Sequence, residues 1–96
     1  MTTYRLSETA ANDFEQLFEY GINSFGLSKA KEYVDGLIEH LNNIAGHPLH
    51  YQAVDYIREN YRRSVYGKHS IYYIITDNGV DIMRILRAEN ISTAFE

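Results

Sequence analysis

A chain of 96 residues, 45% of them hydrophobic, suffices for a single domain over residues 1–96 built around one core. The net charge of −4 argues against general coating of nucleic acid, and with no cysteine there can be no disulfide framework, thiolate nucleophile or Cys-based zinc site. The N-terminus Met-Thr-Thr-Tyr-Arg lacks the charged and apolar regions of a signal peptide, and no apolar run approaches the ~18 residues that span a bilayer. The expectation is a cytoplasmic protein that neither enters a membrane nor leaves by that route.

Tyr4 to Leu6 reads as a short strand, and Ser7 is a good N-cap for the helix behind it. That first helix runs to about Ser24, with Ala10, Phe14, Leu17, Phe18, Ile22 and Phe25 recurring at helical spacing as a core stripe. Gly26 stops it and Ser28 restarts the chain as the next N-cap. So short a connection makes the two helices antiparallel neighbours.

The second helix spans about Lys29 to Ala45, with Ala30, Val34, Leu37, Leu41 and Ile44 on one face, and Gly46 and Pro48 end it. His40 is expected to face solvent. Gly36 sits inside this helix, where it costs about 1 kcal/mol relative to Ala. It reads either as a surface weakness or as the mark of another backbone passing close. Leu49 to Asn60 shows no clean period and reads as an ordered loop with at most one short helical turn.

From Tyr61 to Arg87 the pattern is a three-stranded meander: Tyr61 to Tyr66, a Gly67-Lys68 turn, His69 to Thr76, an Asp77-Asn78-Gly79 turn, then Val80 to Arg87. Asn78-Gly79 is a strong hairpin signal, because both central positions of a type I′ turn need positive φ. It would nearly fix the register of the last two strands. Ile71, Tyr73 and Ile75 oppose Tyr72 and Ile74, while Ile82 and Leu86 oppose Met83 and Ile85, so both faces of the sheet are apolar or aromatic. Helices can cover one face. Either the chain's own loop and C-terminal tail cover the other, or a partner does.

Residues 1–57 hold three Lys/Arg against eight Asp/Glu, while residues 58–96 hold six against five. The basic surplus gathers at Arg58, Arg62, Arg63 and Lys68, which suits either a solvated strand edge or a docking patch for an acidic partner. Nine tyrosines strengthen the second reading, with Tyr61, Tyr66, Tyr72 and Tyr73 beside those cations. His47 and His50 flank Pro48 without a third ligand at a useful spacing, so no metal site is expected. Gly-rich phosphate loops, Gly-x-Ser-x-Gly elbows and dinucleotide fingerprints are all missing, and no cofactor is implied.

The ordered set of Tyr4-Arg5-Leu6-Ser7, Ala10, Ala11 and Phe14, His47-Pro48, Arg62 or Arg63, Gly67-Lys68-His69 with Ile71-Tyr72-Tyr73, and Val80-Asp81-Ile82 before Arg84-Ile85-Leu86 resembles the ParE toxins of the ParE/RelE superfamily. The resemblance covers Tyr4 to about Arg87. It implies an α+β fold of order β-α-α-β-β-β, a helical hairpin packed on an antiparallel sheet. It also implies a type II toxin that inhibits DNA gyrase, blocks replication and is neutralised by a ParD-like antitoxin in a toxin–antitoxin hetero-oligomer. No sequence-specific nucleic-acid binding is expected.

Residues expected to meet target or antitoxin are Arg58, Arg62, Arg63, Tyr66, Lys68, Tyr72, Arg84 and Arg87. The alternatives are a RelE-like ribosome-dependent messenger ribonuclease and an inactive binding module of the same fold. Against the ribonuclease, His69 stands where the RNA-cleaving members usually carry a catalytic arginine, no lysine pair precedes the meander, and the segment after Arg87 is mildly acidic. The expectation is therefore a toxin without a catalytic residue, with His69 structural.

Overall fold

The computed structural model describes residues 3–87. Strand β1 (Thr3–Leu6) leads into helix α1 (Glu8–Phe25), helix α2 (Leu27–Gly46), a 3-10 turn at Pro48–His50 and a short β2 (Gln52–Ala53). The meander follows as β3 (Arg62–Tyr66), β4 (His69–Thr76) and β5 (Gly79–Arg87). The five strands form one sheet in the order β1-β5-β4-β3-β2. The sheet is mixed, because β1 runs parallel to β5 while the other pairs are antiparallel.

Ser7 ties the first turn together from both sides. Its Oγ accepts the Ala10 amide at 3.0 Å, satisfying one of the donors a helix leaves open at its N-terminus, and donates to the Met83 carbonyl of β5 at 3.1 Å. At the other end of α1, Gly26 (φ +92°) serves both helices: its amide bonds to the Ile22 carbonyl and its own carbonyl receives the Ala30 amide. Ser28 is therefore not the second cap but lies inside α2, whose start has no side-chain cap. With one residue between them the helices must fold back at once, and Gly21 lets them close up, since a Cβ there would lie 3.2 Å from that of Ala30.

The helices cover one face of the sheet. Leu37, Leu41 and Ile44 of α2 are buried against Ile71, Tyr73, Ile82 and Ile85. The opposite face holds a second core of Val54, Tyr72 and Leu86, with Ile57 and Tyr61 packed on it. Of the two covers expected for this face, the chain's own loop supplies one. The loop is held by hydrogen bonds from Val54 N to Tyr61 O at 2.8 Å and from Asn60 N to Asp55 Oδ1 at 2.8 Å, with Asn60 itself at φ +68°. The C-terminal tail lies outside the described residues.

Two details of the last hairpin differ from the sequence reading. Thr76 pairs with Gly79, so the central turn residues are Asp77 and Asn78, and Asn60 is the one non-glycine at positive φ among the described residues. Gly79 (φ +145°) is needed for another reason: a Cβ there would lie 2.0 Å from the Thr3 carbonyl oxygen, so glycine is what lets β1 approach β5. The register also slips once, since Tyr72 pairs with Arg84 but Tyr73 with Ile82. Met83 is the extra residue of this bulge, which turns Ile85 to the same face as Ile82 rather than opposing it.

Candidate functional site

The hairpin tip carries apolar side chains that the sheet does not cover. Phe25 is 66% exposed and Leu27 61%, on either side of Gly26, and Tyr20 is also exposed. The distal half of the α1 stripe is thus not core, although Ala10 is buried and Phe14 and Leu17 pack against the core. Beside the tip opens a groove of about 370 Å³ whose walls are Leu17, Tyr20 and Phe25 of α1, Ala30, Tyr33 and Val34 of α2, and the Gly67–His69 turn. Lys29, Lys68 and Arg87 add positive charge to this apolar lining, and the Arg87 guanidinium sits 4.6 Å from the centre of the Tyr20 ring.

Under the groove, Tyr33 Oη donates to the Tyr66 carbonyl at 3.1 Å and lies 2.7 Å from His69 Nδ1. A hydroxyl has one proton, so with it on Tyr66 the His69 Nδ1 is the donor of the second bond. Burial raises the Tyr33 pKa above its ordinary value. His69 is 8% exposed. Farther along α2, His40 Nε2 is 2.7 Å from Ser64 Oγ, with its ring near those of Tyr51 and Tyr66, so His40 faces the sheet rather than solvent. Desolvation lowers its pKa.

The basic residues singled out in the sequence are not gathered on one surface. Lys68 and Arg87 meet at the groove. Arg62 donates to the Tyr51 carbonyl at 2.7 Å, whereas Arg63 points to the opposite face and donates to Ser70 Oγ at 3.1 and 3.0 Å. Arg84 is paired with Asp13 of α1 at 2.8 Å, which raises its pKa, and Arg58 lies exposed in the loop over the second core. Tyr66 is half-buried against α2, and Tyr72, at 0% exposure, lies inside the second core with its pKa raised by burial. Tyr72 therefore offers no surface to a partner in this conformation.

Sequence reasoning missed the groove because it assigned Leu17, Phe25 and Val34 to the interior. One signal was present: Phe25-Gly26-Leu27 puts two apolar residues where the chain reverses between helices, and both lie exposed at that reversal. Among the described residues no group of three His, Cys, Asp or Glu side chains is placed to hold a metal ion, and no helix is long and apolar enough to cross a membrane.

The fold is a helical hairpin on a five-stranded mixed sheet, with a partly apolar and partly basic groove at the hairpin tip. A solved chromosomal ParDE TA system from P. aeruginosa has this fold, with a TM-score of 0.77 at 17% identity, over 91% of this chain and 96% of that one. The model of the ParE toxin of the type II toxin-antitoxin system parDE matches residues 4–91, and the chain belongs to that family. It is 33% identical over 86 residues to Toxin ParE1 of Caulobacter vibrioides, spanning 90% of this chain and 88% of that protein. It is 30% identical over 84 residues to Toxin ParE1 of Mycobacterium tuberculosis, spanning 86% of each.

Proposed function

We propose that this ParE-family toxin poisons DNA gyrase, trapping its cleaved-DNA state, and is neutralised by a ParD-like antitoxin. It does so by binding, without a hydrolytic step of its own. The observation that carries this reading is the fate of the two sheet residues best suited to phosphate chemistry. His69 is buried and hydrogen-bonded to Tyr33, and Arg84 is neutralised by Asp13. A general base must reach the proton it abstracts, and a cation stabilising a phosphorane must be free to face it. Both side chains are already engaged within the chain, His69 Nδ1 by Tyr33 and the Arg84 guanidinium by Asp13, which supports a binding role over a hydrolytic one.

The antitoxin reading rests on the groove. Apolar walls beside Lys68, Lys29 and Arg87 suit an amphipathic acidic segment, whose apolar side chains leave water while its carboxylates meet the cations. Arg62 and Arg63, already hydrogen-bonded within the chain, are secondary candidates for the same partner. The non-hydrolytic part is tested by His69→Gln, which keeps much of the size and hydrogen-bonding capacity. Cells expressing the variant should still be poisoned. Loss of toxicity in a variant that remains folded and binds antitoxin would return the case to an enzymatic mechanism.

A further inference from the structure

Two tyrosines and two glycines interlock at the base of the groove. Tyr33 and Gly36 lie one turn apart on the same face of α2, and Tyr66 and Gly67 are neighbours at the end of β3. A Cβ at Gly36 would lie 2.0 Å from Tyr66 Oη, and a Cβ at Gly67 would lie 2.5 Å from Tyr33 Oη. Each tyrosine hydroxyl thus occupies the space that the glycine of the opposing element leaves open. The two rings pack with centroids 5.1 Å apart.

The consequence falls on the turn. Gly67 (φ +56°) and Lys68 form a two-residue connection that projects beyond the paired strands, and such tips ordinarily satisfy their backbone groups with water. Here one hydroxyl serves both ends of the turn: it donates to the Tyr66 carbonyl before it and receives His69 Nδ1 after it, with Gly67 packed against it. The turn is consequently tied to α2 at both its ends while the Lys68 side chain remains exposed at the groove. A cation presented from a fixed backbone loses less entropy when it pairs with a carboxylate than one on a mobile loop.

We propose that Tyr33 is a positioning residue for Lys68, holding the Gly67–Lys68 turn so that the ammonium group stands at the groove mouth to receive a carboxylate of the docked acidic segment. The proposal rests on the reading of the groove as the antitoxin site, and its test separates the two. Tyr33→Phe keeps the ring and removes only the hydroxyl. In the full chain, amide hydrogen exchange at Lys68 should speed up at least ~10-fold in this variant, because the turn loses the hydroxyl that ties both its ends to α2. Exchange in the buried middle of β4 should not change.

Binding is then measured to a synthetic amphipathic helix of Leu and Glu. Tyr33→Phe should weaken it about 10-fold in the wild-type background and less than about 2-fold in a Lys68→Ala background, which is the signature of acting through Lys68. Equal loss in both backgrounds, or unchanged exchange at Lys68, would overturn the proposal. If the helix does not bind wild-type protein at all, the docking reading fails, and with it the role of Lys68, even where the exchange result shows that the turn is clamped.

Discussion

Asp13 holds Arg84 and the amide next to it with a single carboxylate: Oδ2 accepts from Arg84 Nε at 2.8 Å and from Ile85 N at 3.0 Å, and Oδ1 accepts from Arg84 Nη2 at 3.1 Å. The amide lies just past the Met83 bulge, where the ladder is interrupted. Asp13 therefore repairs the edge of β5 from α1. The ion pair and the amide bond are separable contributions.

Asp13→Ala should cost about 2–4 kcal/mol, because it strips both the guanidinium and a main-chain donor of their partner. Arg84→Ala should cost only about 1–2 kcal/mol, since the carboxylate keeps the Ile85 amide. Urea denaturation of the two variants decides it. A larger loss for Arg84→Ala would mean that the ion pair, not the amide, is what fixes the bulge.

The seat of Tyr66 on Gly36 yields a sign reversal. Alanine is the better helix former by about 1 kcal/mol, yet its methyl group would meet the Tyr66 hydroxyl, so Gly36→Ala should destabilise the wild-type chain by about 1–3 kcal/mol. In a Tyr66→Phe background the hydroxyl is gone and the same substitution should become near neutral. Thermal melts of the four combinations test this, and an additive result would show that Gly36 has no dealings with Tyr66.

Much of the architecture was legible because its signals are local. Ser7 before an amphipathic run, Gly26 after it, and the Gly67-Lys68 turn each act within a few residues, and the helices and the strands of the meander stand close to where the sequence put them, whereas β2 lies in the stretch read as a loop. What was not legible depends on contacts distant in sequence. Gly79 looked like a turn glycine, but it is Thr3, far off in the chain, that requires it. Gly36 looked open to another backbone, and a tyrosine side chain came instead. His40 is expected at the solvent, whereas Ser64, Tyr51 and Tyr66, all distant in sequence, draw it onto the sheet. The position of Tyr72 followed from the loop that folds over it, for which no periodicity exists.

The placement of His40 has a pH signature. Its folded-state pKa is lowered by desolvation from 6.5, so the unfolded chain takes up the proton first as the solution is acidified. The contribution to stability is therefore whole above pH ~6.5, shrinks as pH falls through the folded-state value, and falls no further once both states are protonated. Denaturation midpoints measured from pH 7.5 down to about 5 should drop more for the wild type than for His40→Gln. Parallel curves would contradict the burial of this imidazole.

The central claim, a toxin that acts by binding gyrase, is tested most directly by one assay with two substrates. Purified protein is added to gyrase with relaxed plasmid, and separately to ribosomes programmed with messenger. The account predicts loss of supercoiling with accumulation of cleaved plasmid DNA, reversed when a ParD-like antitoxin is supplied, while the messenger stays whole. Messenger cut in the ribosomal A site with supercoiling untouched would contradict it.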